Sequence, residues 1–225
     1  AAGLDLECGL LHSRFLKTDR ETNEEKWVGL FGKQGKAARA IKGRILIGTQ
    51  VLEQSLDIDG DFLITRICPT DMLFQRIGRL WRHREIDRLR PKKAEREVWV
   101  LSPPLDEAIA DARRFGKSAY VYAPYVLCRS LEVWQDINEL IMPEQMRPLI
   151  EATYSERTEK GPMAYYKKDL EEKKERLSRL ARIGLAQEGR TLPESHATTP
   201  YSETETGYVL LIRGKRQTEG EIRRR

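Results

Sequence analysis

The chain has 225 residues, 40% hydrophobic and 33% charged, enough apolar mass for one large or two small domains beneath a densely charged surface. Its net charge of +5 and pI near 9.1 lean toward nucleic acid without identifying it. Cys8, Cys68 and Cys128 stand far apart with no CxxC pair, and only three histidines are present, which argues against zinc and fits reduced thiols in a cytoplasm. No apolar run reaches membrane-spanning length, and there is neither a signal-peptide pattern nor an internal repeat.

In chain order, the apolar run from Leu4 to Leu11 reads as a buried strand ending at His12-Ser13-Arg14-Phe15. Polar residues just past a strand's carboxyl end occupy the ligand-facing edge of a parallel sheet. A helix starts near Thr18, with Trp27, Leu30 and Phe31 on its apolar side. Gly32-Lys33-Gln34-Gly35-Lys36 lacks the GxxxxGK[ST] spacing of a phosphate loop and reads as a flexible surface turn. Arg44 to Gln50 forms a second strand running into a polar turn, and Phe62 to Ile67 a third, closed by Pro69. Strands this uniformly apolar predict a parallel sheet covered on both faces. Val98 to Leu101 is a fourth strand; strand, connection and strand recur in the pattern of a doubly wound α/β sheet.

Residues Gln75 to His83 hold the most distinctive chemistry. Read as one helix capped by Thr70 or Asp71, they put Gln75, Arg79 and Arg82 on one face and Leu73, Ile77 and Leu80 on another. Such a helix buries one side and offers two guanidinium groups and an amide, which suits negative charge developing on a phosphoryl group. Glycine at position 78 costs a helix ~1 kcal/mol relative to alanine, so it implies a close approach by a neighbour.

After Pro104 the chain turns helical: 106–115, 119–140 and 143–154, with breaks set by Pro124, Pro143 and Pro148. Tyr165 to Ile183 is a charged helix with a narrow stripe of Leu170, Leu177 and Leu180. Residues 189–206 are loop-like, and Tyr208 to Ile212 is a last strand.

Three stretches resemble motifs IV, V and VI of a superfamily 2 helicase: His12-Ser13-Arg14-Phe15, Gly48-Thr49-Gln50 through Asp57-Ile58-Asp59, and Gln75 through His83. The wording Glu53-Gln54-Ser55-Leu56-Asp57-Ile58-Asp59 and the Arg82-His83 ending resemble, more particularly, the CRISPR-associated helicase–nuclease of type I interference. The resemblance is strong from residue 8 to 105 and continues weakly to Ala197-Thr198-Thr199, similar to the entry of that family's accessory domain.

The fold so implied is α/β: a partial recA-like parallel sheet at 1–105, the second helicase domain, then a mainly helical linker at 106–190 and the start of an accessory domain at 191–225. The function implied is ATP-dependent translocation on single-stranded DNA, with unwinding for degradation. Arg79 and Arg82 would be arginine fingers on the γ-phosphate, Gln75 would order the nucleotide or its attacking water, and Asp57 would contact the ribose or couple ATP to the strand. Thr49, with the backbone of Gly48 and Gln50, would hold a DNA phosphate, and Ser13 and Arg14 would face the same backbone. Arginine matches phosphate oxygens bidentately, while hydroxyls and backbone N–H groups grip a strand without reading sequence.

Each residue also has a structural reading: Ser13 as a turn residue, Thr49 as a hydroxyl bonding its own backbone, Asp57 as a cap or local ion pair, His83 as a helix-end residue, and Trp81 as core or interface. Gly60 stands where the family commonly has an aromatic, and Arg66 where it has an acid. The sequence holds no Walker A loop, no DExH or DExD acid pair for Mg2+ and no HD cluster. The expectation is therefore a fragment that supplies half of a composite ATP site, with Mg2+ held by the first recA-like domain. The expected partners are single-stranded DNA, the first recA-like and HD nuclease domains, and the CRISPR RNA-guided surveillance complex, with no membrane. The alternatives are another superfamily 2 DNA or RNA helicase, or a non-catalytic nucleic-acid-binding module.

Overall fold

The computed structural model describes residues 6–12, 15–39, 42–53 and 56–186. The expected last strand at Tyr208 to Ile212, the 191–225 segment, Ser13 and Arg14 lie outside the described residues.

The architecture is α/β. Strand β1 (Leu6–Leu11) and strand β2 (Gly43–Gly48) pair in parallel, with Leu6 opposite Gly43 and Leu11 opposite Gly48. Between them run helix α1 (Lys17–Phe31), a 3-10 turn (Lys33–Gly35) and the short helix α2 (Lys36–Arg39), the crossover that a parallel pair requires. Trp27 of α1 packs with Leu11 and Val51 in a small core. After a 3-10 turn at Gln50–Glu53 come strand β3 (Leu63–Arg66), helix α3 (Thr70–Ile77), a 3-10 turn at Arg84–Leu89 and strand β4 (Val98–Leu101). Strand β4 runs parallel to β3, with Leu63 opposite Val98.

The sheet differs from expectation. Among the described residues it forms two separate two-stranded parallel pairs, each covered on one face rather than two. Leu6, Leu10, Ile45 and Ile47 are exposed on the first pair, and Phe62, Ile64, Trp99 and Leu101 on or beside the second. Alternate residues of a strand point to opposite faces, so an all-apolar strand shows only that both faces want cover. Here α1 and the later helices supply it on one side.

Those helices are α4 (Leu105–Ala110), α5 (Ser118–Val121), α6 (Pro124–Trp134), α7 (Met146–Tyr154) and α8 (Gly161–Ala186). Three expected spans are shorter or broken. Asp111 ends α4 and caps a 3-10 turn by accepting the Arg113 N–H. Helix α6 stops at Trp134 rather than near Leu140. Pro148 breaks nothing, since it sits in the first turn of α7, where its missing N–H has no helical acceptor to lose.

The main core joins Ile67, Cys68, Leu73 and Ile77 to Ala108, Phe115, Leu127, Cys128, Leu131 and Met163, so it runs across residue 105. Helix α3 is docked at its start by tertiary polar contacts rather than by its own cap. Pro69 occupies the cap position, and the Thr70 N–H donates to Ser130 Oγ at 3.2 Å. The Thr70 hydroxyl lies 2.6 Å from that of Thr153 and accepts from Trp134 Nε1 at 3.0 Å, while Asp71 accepts from the Tyr154 hydroxyl. No helix among the described residues is long and apolar enough to cross a membrane.

Candidate functional site

Helix α3 ends at Ile77, so the expected face shared by Gln75, Arg79 and Arg82 does not form. The Gly78 N–H closes the last turn on the Phe74 carbonyl at 2.8 Å, and the backbone then leaves to pair with Gly60. The Gly60 N–H donates to the Arg79 carbonyl at 2.7 Å, and the Trp81 N–H donates to the Gly60 carbonyl at 3.0 Å. The Arg79 and Leu80 N–H groups still close 3-10-type turns on Arg76 and Ile77, both at 2.9 Å, and from Trp81 the acceptors are tertiary, so residues 79–83 lie as a strap along the 57–61 loop. Trp81 takes φ 51°, a left-handed conformation that costs a bulky residue of order 1–3 kcal/mol. Gly78 stands at the end of α3 rather than inside it, and among the described residues a Cβ there would meet only its own last turn, the Phe74 carbonyl at 3.2 Å and that of Gln75 at 3.6 Å, so the expected approach by a neighbour is not seen. Gln75 is exposed on α3.

The strap delivers its side chains to Asp57. His83 Nε2 lies 2.7 Å from Asp57 Oδ1, and Arg82 Nε lies 3.3 Å from the same oxygen. The Lys33 N–H reaches Asp57 Oδ2 at 3.5 Å. Burial alone would raise the Asp57 pKa. The His83 and Lys33 hydrogen bonds, with the positive charges of His83 and Arg82, outweigh it and hold the carboxyl below its ordinary value. His83 is thus a partner of Asp57, and it also stands at the start of the 3-10 turn Arg84–Leu89, where its carbonyl accepts the Ile86 N–H at 3.0 Å. The 32–36 segment is likewise no loose turn: Gly32 and Gly35 are buried, and a Cβ at Gly32 would stand 2.7 Å from the Asp57 carbonyl.

Arg79 faces the turn after β2, donating from Nε to the Leu52 carbonyl at 3.3 Å and from Nη2 to the Glu53 carbonyl at 3.2 Å. Partial burial, then the nearby charge of Arg82, lowers its pKa against the opposing pull of Asp57. Gly48 ends β2, and the Thr49 N–H continues the ladder to the Leu11 carbonyl at 3.3 Å. Among the described residues the Thr49 hydroxyl is enclosed and has no hydrogen-bond partner, contrary to the reading in which it bonds its own backbone. A buried polar group left unpaired costs ≈ 1–3 kcal/mol. Gln50 opens the 3-10 turn beside it.

Beneath the strap lies a charge cluster that sequence reasoning missed. Arg90 Nη2 spans both oxygens of Asp59 at 2.9 Å, and Arg90 and Arg39 both bond the Asp61 carboxylate. Asp59 Oδ2 accepts the His83 N–H at 2.8 Å. The Arg90 guanidinium lies 4.5 Å from the Trp81 ring centroid, with Arg96 5.5 Å from the same ring. Asp59 stood in the quoted motif, but nothing local linked it to Arg90. The cluster leaves these acids engaged by arginines, and no group of three or more His, Cys, Asp or Glu among the described residues is placed to hold a metal. Arg39 and Arg90 are enclosed against their own carboxylates, whereas Arg82, 41% exposed beside Asp57, is open to meet an anion.

A family model for the CRISPR-associated nuclease/helicase Cas3, C-terminal, matches residues 1–85. The chain is 37% identical over 154 residues to the CRISPR-associated endonuclease/helicase Cas3 of Escherichia coli strain K12, covering 67% of this chain and 16% of that protein. A crystal structure of T. fusca Cas3-AMPPNP superposes with a TM-score of 0.58 at 31% identity, over 87% of this chain and 21% of that one. A chain of a CRISPR RNA-guided surveillance complex, pre-nicking, superposes with a TM-score of 0.55 at 32% identity, over 83% of this chain and 22% of that one. The chain therefore spans less than a quarter of the length of each of these relatives.

Proposed function

Since the chain belongs to the Cas3 family of CRISPR-associated helicase–nucleases, we propose that it forms one wall of a composite ATP site and part of a single-stranded DNA track within an ATP-dependent helicase. The observation that carries this reading is the convergence of Arg82 and His83 on Asp57, with Arg79 braced on the turn that follows Thr49.

Arg82, exposed and held by a single carboxylate, is free to exchange Asp57 for a γ-phosphate oxygen. Arg79 joins it from the turn after β2, and a preformed cation at the phosphoryl group needs little reorganisation as charge moves. Asp57, released from Arg82, turns to the ribose or keeps His83, so its two states report whether nucleotide is present. Gln75, on the exposed side of α3, orders the nucleotide or its attacking water. ATP supplies the phosphoryl group; the Mg2+ that neutralises it belongs to the facing recA-like domain, because the acids here are already paired.

Thr49, the N–H groups around Gly48 and Gln50, and the Ser13-Arg14 pair hold phosphates of a DNA strand at the carboxyl edge of β1 and β2. On this reading the helicase works with an HD nuclease domain and is recruited by an RNA-guided surveillance complex; the likeness to an endonuclease/helicase and to a chain of a CRISPR RNA-guided surveillance complex is in keeping with it. Steady-state ATP turnover tests the DNA half of this reading. In the full-length protein, Thr49→Val removes the hydroxyl at constant volume and is expected to cut DNA-stimulated turnover while leaving DNA-free nucleotide binding intact. Unchanged DNA affinity and stimulation would remove Thr49 from the track.

A further inference from the structure

We infer that Asp59 and Arg90 are the positioning pair of this site: together they fix the path of the 79–83 strap and so set where Arg82 can reach. The inference rests on the ATP-site reading above, and it names residues that the helicase motifs leave without a role.

The pair is enclosed, with the Asp59 side chain 0% exposed and that of Arg90 1%. Arg90 touches the strap and its supporting loop at several points. One nitrogen bridges both Asp59 oxygens, another reaches the Gly60 carbonyl at 3.4 Å and the Asp61 carboxylate, and Nε holds Asp87 at 3.1 Å. The guanidinium also stacks on Trp81, the residue whose left-handed backbone turns the strap. Asp59 completes the clamp by accepting the N–H of His83, which immediately follows Arg82. Arg82 is therefore bracketed by two residues, Trp81 and His83, that both rest on the pair.

A buried ion pair adds little net stability over apolar side chains of the same volume. What it does supply is direction: a planar fork bonded on two edges admits one orientation. A guanidinium that must meet a phosphoryl oxygen is sensitive to that orientation. Lysine at position 90 keeps the charge but cannot bridge both Asp59 oxygens while lying flat on the indole.

The test uses the full-length protein with saturating ATP and single-stranded DNA. Arg90→Lys is expected to lower kcat roughly 100-fold, the cost of a misplacement of about 1 Å, while the ATP KM and DNA affinity stay within about threefold. Rates are taken per folded molecule, with the folded fraction read by circular dichroism. Asp59→Asn, which keeps the shape and one carbonyl acceptor for the His83 N–H, is the second variant and decides the matter if Arg90→Lys does not fold. A merely structural pair predicts a lower folded fraction with kcat per folded molecule unchanged in the variant that folds, and that result overturns the inference. Arg82→Ala is run alongside. If it retains full turnover, the ATP-site reading itself fails; if it is dead while Arg90→Lys and Asp59→Asn turn over normally, only the positioning role fails.

Discussion

Asp57 and His83 meet at 2.7 Å although 26 positions separate them, and this contact closes the strap onto the loop that follows β2. It joins the two stretches of sequence that carry the residues we propose to meet phosphate, and Arg82 shares the same Asp57 oxygen at 3.3 Å.

The contact has a pH signature. Burial opposes the charged form of Asp57, but hydrogen bonds from His83 and Lys33 and the charges of His83 and Arg82 prevail, leaving its folded pKa below the unfolded value. Between those two values the unfolded chain binds the extra proton, so stability rises with pH there. The contribution is complete above the unfolded value of about 3.9 and disappears as pH falls through the lower folded value. Because the side chain is 42% exposed, solvent limits it to ~0–1 kcal/mol. Melting temperatures of the wild type and Asp57→Asn, measured from pH 7 down to strongly acid solution, are expected to differ by a constant amount near neutrality and converge in acid. A gap that persists undiminished in acid would mean the carboxylate's charge is not what Asp57 contributes.

Trp81 offers a backbone test. At φ 51° any residue with a Cβ is strained, while the indole repays part of the cost by donating from Nε1 to the Asp61 carbonyl at 2.9 Å and by stacking under Arg90. Trp81→Ala loses both contacts and keeps the strain; Trp81→Gly loses both and removes it. Chemical denaturation should find the glycine variant more stable than the alanine variant by about 1 kcal/mol. Equal stabilities, or alanine ahead, would show that the left-handed turn does not persist in solution.

The open sheet faces predict association. Ile45, Ile47, Leu6 and Leu10 form one apolar face, and Ile64, Leu101 and the edge-on pair Phe62–Trp99 form another. Exposed apolar patches of this kind mark interaction sites or aggregation liabilities. Light scattering on the 225-residue chain should show concentration-dependent self-association, reduced by Ile47→Thr combined with Trp99→Thr. A monodisperse monomer with one sharp cooperative melt would contradict it.

The four strands and most helix centres are legible from apolar runs and proline positions, and the parallel pairing from the uniformly apolar strands and the strand–connection–strand pattern. The 75–83 stretch was misread as one helix for a specific reason. Its periodicity continues past Gly78, but the hydrogen bonds that end it come from Gly60 and Asp59, partners that no local pattern reveals. The same holds for Arg90, which looks like one basic residue among many until the fold brings Asp59 beneath it. The family motifs made Arg79, Arg82, Asp57 and Thr49 visible as candidates; their geometry, with Arg79 braced on carbonyls and Arg82 resting on Asp57, was not.

The central claim is that Arg79 and Arg82 act together on a phosphoryl group whose other contacts come from a second domain. Steady-state phosphate release from the full-length protein, with and without single-stranded DNA, tests it most directly. Arginines in this role are worth roughly 10³–10⁵ in rate, so Arg79→Ala and Arg82→Ala should each abolish turnover while DNA binding survives. Lysine at either position should restore little, because it loses the planar fork. The 225-residue chain alone, whose sequence holds no phosphate loop, should release no phosphate. Turnover by this chain alone, or full activity in the double alanine variant of the full-length protein, would contradict the composite-site account.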